Sequence, residues 1–229
     1  MPFLFDPTMI IIIPFILLML YAQYNVKTTF NKYLSVPAET SQTGADIARD
    51  ILRQNGLTEV AVEQAEGELS DHYDPRSNKV KLSPQVYQGN SLAAIGVAAH
   101  ETGHALQHAQ GYMPVTIRSS LFPVASFGSQ TGPFLALIGF FFRAEFLILL
   151  GIIFFAGAVL FQVVTLPVEF NASSRALTIL KGSNYLSAEE TKGAKKVLRA
   201  AALTYVASTL VALGHLLRLI FMFVLANDE

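Results

Sequence analysis

His100-Glu101-Thr102-Gly103-His104 lies inside the apolar run from Ser91 to Ala109, and this run decides how the rest of the chain is arranged. On an α-helix the two histidines stand one turn apart on one face. Both imidazoles can then reach a single cation while Glu101 flanks the coordination position left open. In a chain of this composition the pattern is expected about 0.005 times by chance. Asn90-Ser91 is a good helix start and Gly111 a good stop. Ala93, Ala94, Gly96, Ala98, Ala99, Gly103 and Ala105 cover much of the helix with small side chains, which predicts close packing against neighbours.

The spacing carries a definite chemistry. A zinc ion held by three protein ligands keeps a water in its fourth place and brings the pKa of that water near neutrality. An adjacent carboxylate can take the proton as the water attacks a carbonyl. His100 and His104 are then metal ligands and Glu101 the general base; the bland alternative is a buried, hydrogen-bonded His-Glu-His cluster without metal. The chain has no cysteine, so histidine and carboxylate remain as the expected ligand types. His108 is one turn past His104, but three successive turns of one straight helix converge poorly on a tetrahedral centre. Glu169, in Pro167-Val168-Glu169-Phe170-Asn171 where an apolar segment ends, is the better third ligand.

Composition points to a membrane protein: 229 residues, 52% apolar and 14% charged. A net charge of −1 offers no basic footprint for nucleic acid. Four stretches are long enough to span a bilayer: Pro7–Val26, Ser119–Phe142, Phe146–Val168 and Ala200–Leu225. The first lacks a basic start and a small-residue cleavage site, so it reads as an uncleaved span. Ser126, Ser129, Gln130, Thr131 and Gly132 suggest a broken or partly re-entrant start to the second. Lysine and arginine cluster between the first and second spans and between the third and fourth, which predicts a cytoplasmic HExxH segment and both termini outside. His215 and Arg218, one turn apart on the fourth span, read as residues that snorkel to the far interface.

Between the spans, Asn25–Ala38 reads as a polar connection. Thr43 with Asp46 reads as a capping box opening a helix that Asn55-Gly56 closes. Glu59–Glu63 and Lys79–Ser83 alternate as strands, with Asp71-His72-Tyr73 between them. An edge strand just before the metal helix can pair with an extended peptide; ordinary sheet pairing is the equal alternative. Ser187 with Glu190 predicts a second capping box and a helix running unbroken into the fourth span. His72, His108 and Arg175 are the groups available to stabilise an oxyanion, with Arg175 better suited to surface or headgroup contact.

Asp71-His72-Tyr73-Asp74-Pro75, the Lys79–Ser83 strand, Ala98 to His108 and Pro167 to Ser173 together resemble the YugP-type neutral zinc metallopeptidases. The similarity covers nearly the whole chain. It implies a membrane-bound, gluzincin-like peptidase with one zinc per chain, His100, His104 and Glu169 as ligands and Glu101 as base. The chain is also distantly similar to HtpX-type membrane proteases, which carry an acid four places after the ligand glutamate. Ser173 stands there instead and can still bridge to a ligand histidine.

The expected fold is a mainly α membrane protein with about four transmembrane helices and a small cytoplasmic α+β zincin-like catalytic region. The segments are 1–26 (first span), 27–118 (catalytic region), 119–168 (second and third spans), 169–199 (cytoplasmic helix with the third ligand) and 200–229 (fourth span and tail). The expected function is zinc-dependent endopeptidase action at the cytoplasmic face of the cell membrane. Its partners are the lipid bilayer and peptide or membrane-protein substrates, and no nucleic acid. A non-catalytic zinc-binding membrane scaffold is the alternative; closed structural sites normally use four protein ligands.

Overall fold

The computed structural model describes residues 7–183 and 185–227; the first six residues of the expected first segment and the last two of the tail lie outside them. A short 3-10 turn at Pro7–Ile11 precedes α1 (Ile13–Leu34) and α2 (Gly44–Gln54). Three strands follow, β1 (Ala61–Gln64), β2 (His72–Asp74) and β3 (Lys79–Leu82). Then come α3 (Pro84–Tyr87), α4 (Leu92–Ala109), α5 (Met113–Phe142), α6 (Glu145–Gly182) and α7 (Ala188–Asn227). Among the described residues, four helices are long and apolar enough to cross a membrane, within Thr8–Leu34, Met113–Phe142, Glu145–Gly182 and Ala188–Leu225.

The chain divides into two compact units. One comprises residues 1–23, 116–166 and 204–229 and holds most of the apolar helical sequence. In it α5 and α6 approach backbone to backbone: a Cβ on Gly132 would lie 2.8 Å from the Gly151 carbonyl oxygen, and one on Gly151 2.6 Å from that of Gly132. The second helix does not have the broken start expected of it, since α5 is continuous from Met113 to Phe142. Hydroxyls explain this, because Ser120 donates to the Thr116 carbonyl and Ser129 to that of Ser126, each satisfied within its own helix.

The other unit, residues 24–115 and 167–203, contains the sheet, α2 to α4 and the stretches that carry His100, His104 and Glu169. α4 is buried on nearly every side, as expected of a helix apolar all round. Ser91 caps it by accepting from the Ala94 N–H, and Gly111 follows it at φ +60°. Asn25–Ala38 is not a connection but mostly helix, since α1 runs to Leu34. Phe30, Tyr33 and Leu34 share helical spacing and pack with Ala45, Ala48, Val80 and Ala94, which rewards continuing the helix. The capping boxes of Thr43 with Asp46 and Ser187 with Glu190 are both formed.

The sheet order is β1-β3-β2, with β1 parallel and β2 antiparallel to β3. The strand just before α3 and α4 is therefore central, and its edges are already taken. β2 is the edge strand that packs beside α4.

Candidate metal centre

Two helices of this second unit supply the site. Gly103 of α4 faces Ala172 of α6 so closely that a Cβ would lie 2.9 Å from the Ala172 carbonyl oxygen. The side chains that matter flank this crossing: His100 on α4 and Glu169 on α6 lie about one turn before the contact residues, and His104 and Ser173 follow them directly. Glu169 does not begin a new helix, because α6 passes through Pro167 without a break. Proline there forfeits one backbone hydrogen bond, and burial of Val168, Ala172, Ala176 and Leu180 on one face holds the helix together.

Glu169 Oε2 lies 3.3 Å from His100 Nε2 and 3.5 Å from His104 Nε2. All three donor atoms fall within 4.8 Å of one another. Ligand atoms about 2.0 to 2.1 Å from a tetrahedral zinc stand about 3.4 Å apart, so this set fits one such ion. The two imidazole planes are nearly perpendicular, at 87°. Glu169 is 3% exposed and the histidines 12% and 15%. A carboxylate buried this deeply is stable only with positive charge beside it, whether imidazolium or metal.

Each imidazole has a second partner on Nδ1. His100 Nδ1 is 3.1 Å from Ser173 Oγ, the bridge expected of Ser173. His104 Nδ1 is 3.0 Å from Gln107 Oε1. Gln107 is fully buried, and its amide NH2 donates to the Val168 carbonyl (2.8 Å) and to Asn171 Oδ1 (2.9 Å). Burial acts against charge on His104, but Glu169, the negative charge of Glu101 and the Gln107 amide together outweigh it, so the metal-free imidazole holds its proton above the usual histidine range.

Glu101, 8% exposed, follows His100 on the same helix. Asp71, at the head of β2, accepts from the backbone N–H (2.8 Å) and the hydroxyl (3.0 Å) of Ser83, tying the edge strand to the end of β3. Burial pushes the Asp71 carboxyl above its usual range; the Ser83 hydrogen bonds pull it back and the negative charge of Glu101 raises it further.

The three oxyanion candidates fare differently. His108 is exposed and bonds Tyr73 of β2, Nδ1 to hydroxyl 3.1 Å, rather than joining the His100 and His104 group. His72 is exposed, with Nδ1 2.7 Å from the Ser70 carbonyl. Arg175 is part-buried and bonded to protein groups: its Nε donates to Asn171 Oδ1 (2.7 Å), its Nη1 bonds Gln110 Oε1, and it lies over the Tyr112 ring. Gln107 and Asn171 escaped sequence reading, although Gln107 sits three residues past His104 on the same helical face, a spacing that signals such a contact.

Residues 8–224 match the family described as "Putative neutral zinc metallopeptidase". The chain is 50% identical over 209 residues, 91% of its own length and 93% of the relative's, to a protein of Bacillus subtilis (strain 168) named "Putative membrane protease YugP". No solved structure matches it. A helix carrying His100-Glu101-Thr102-Gly103-His104, a facing glutamate, and a family match across nearly the whole chain agree, and the protein belongs to this neutral zinc metallopeptidase family.

Proposed function

We propose that the chain is a membrane-embedded, zinc-dependent endopeptidase of zincin-like architecture, with His100, His104 and Glu169 as ligands and Glu101 as general base. The observation that carries this reading is the spacing of three donor atoms, 3.3 and 3.5 Å from carboxylate to imidazoles, with a carboxylate following the first histidine. Zinc bound there supplies a Lewis acid for the scissile carbonyl and a water acidified to near neutrality. Glu101 would serve as the general base for the attacking water and then as the proton donor to the leaving amine. β2 presents its outer edge for an extended substrate backbone, with Asp71 and Tyr73 fixing the strand beside α4. His72 and His108 are the candidates for the developing oxyanion, whereas Arg175 is committed to Asn171 and Gln110.

The distribution of lysine and arginine favours a multi-pass protein of the cell membrane with this site on the cytoplasmic side. Glu169 lies just past the third apolar stretch on the same helix, so membrane-associated segments are the favoured substrates. The test uses the full chain in detergent, stripped of zinc and reloaded, against fluorogenic peptides. Glu101→Gln is expected to lower turnover by about 10²- to 10⁴-fold with one zinc still bound. Activity untouched by Glu101→Gln, or absent from the zinc-loaded parent, favours the scaffold reading instead.

A further inference from the structure

His104 can present Nε2 to a cation only if its proton sits on Nδ1, and the groups behind it determine where that proton goes. Gln107 meets His104 through Oε1 and meets Val168 and Asn171 through Nε2. An amide can in principle face either way, and its partners decide. Here two partners cannot invert. The Val168 carbonyl only accepts. Asn171 Oδ1 also receives Arg175 Nε at 2.7 Å, and a guanidinium only donates, so the oxygen of Asn171 must face inward. Both constraints turn the NH2 of Gln107 toward α6 and its oxygen toward His104.

We propose that Gln107 is a positioning residue that sets the tautomer of His104, its own amide being oriented by the Val168 carbonyl and, through Asn171, by Arg175. The amide oxygen accepts from Nδ1–H, which leaves Nε2 for the cation, against the pull of the Glu169 carboxylate, 3.5 Å away, for a proton there when no cation is bound. A flipped amide would place a donor against Nδ1 and drive the proton to Nε2, where it would block the cation. His100 lacks this control, since the Ser173 hydroxyl at 3.1 Å can donate or accept. Arg175, held also by Gln110 and the Tyr112 ring, thus acts on a histidine it does not touch. This inference rests on the metal-centre reading only for its consequence, because the tautomer exists in the metal-free chain.

The experiment uses the full chain in micelles with 15N-labelled histidine, zinc removed, at alkaline pH where imidazole is neutral. His104 is assigned by its loss in His104→Asn. The parent is expected to carry the His104 proton on Nδ1. Gln107→Met keeps length and apolar packing but removes the amide; it should move that proton toward Nε2 and weaken zinc binding by about 10- to 100-fold. Asn171→Asp accepts from the same two donors and should leave the tautomer unchanged and zinc affinity within about threefold. The proposal falls if the parent shows Nε2–H on His104, or if Asn171→Asp weakens zinc as much as Gln107→Met. Should Gln107→Met not fold, the parent tautomer and Asn171→Asp still decide. A parent that shows Nδ1–H yet binds no zinc sinks the peptidase reading and leaves the tautomer assignment standing.

Discussion

α6 is used twice, and the two uses differ. In one unit its Gly151 meets Gly132 of α5 at backbone contact; in the other its Ala172 meets Gly103 of α4 just as closely. Around the first crossing the buried neighbours are apolar or small, Ala125, Ala136, Ile148 and Ile152. Around the second stand His100, His104, Glu169, Gln107, Asn171 and Ser173, each with a named polar partner. Close approach alone makes a tight helix pair. It offers a candidate metal centre where the turns beside the contact carry donors whose far sides are also satisfied, since an unpartnered buried polar group costs about 1 to 3 kcal/mol.

This contrast can be broken in order of effect. The largest loss is expected from Glu169→Gln, which should abolish stoichiometric zinc binding and all hydrolysis; metal analysis of the purified chain that still finds one tightly held zinc would remove Glu169 from the site. Next, Gly103→Val should force α4 from α6 and lower zinc affinity by tenfold or more, on the order of a lost supporting contact. Gly132→Val should instead cost about 1 to 3 kcal/mol of stability while zinc affinity holds. Equal loss of zinc in both variants, measured by chelator competition, would mean the two crossings are not separable.

A smaller effect follows from the raised pKa of His104. Zinc must displace that proton, so apparent affinity should rise about tenfold per pH unit and level off only above the usual histidine value of about 6.5. In the metal-free chain the sign reverses. The bound proton stabilises the fold below about 6.5, and the contribution fades as pH rises through the raised value. Chelator titrations and thermal melts between about pH 5.5 and 8.5 should therefore run in opposite directions, and parallel curves would contradict the assignment. The smallest effect is expected at the exposed Lys192–Glu189 pair: Lys192→Ala should leave melting, zinc binding and turnover unchanged, and a clear loss would reveal a role for the start of α7.

Much of the fold was legible because it depends on nearest neighbours along the chain. Thr43, Ser91 and Ser187 announce helix starts through side chains that reach only three residues, and hydropathy marks four long apolar segments. Reading went astray where local polarity was settled by local means or by packing. The serines of α5 bond their own helix, and the polar end of α1 stays helical because Phe30 and Tyr33 find a core. Nothing local ranks β3 as the central strand, because the parallel pairing with β1 skips over β2.

The sequence by itself determined that two imidazoles share a helix face with a glutamate beside them, since a rise and a turn per residue are enough to place them. Tertiary structure brought the expected Glu169 within 3.5 Å of both imidazoles, put Gln107 behind His104 and tied Arg175 to Asn171 and Gln110. Those choices depend on where Gly103 lets a second backbone come to rest, and a contact between residues some seventy positions apart leaves no periodic trace in either segment.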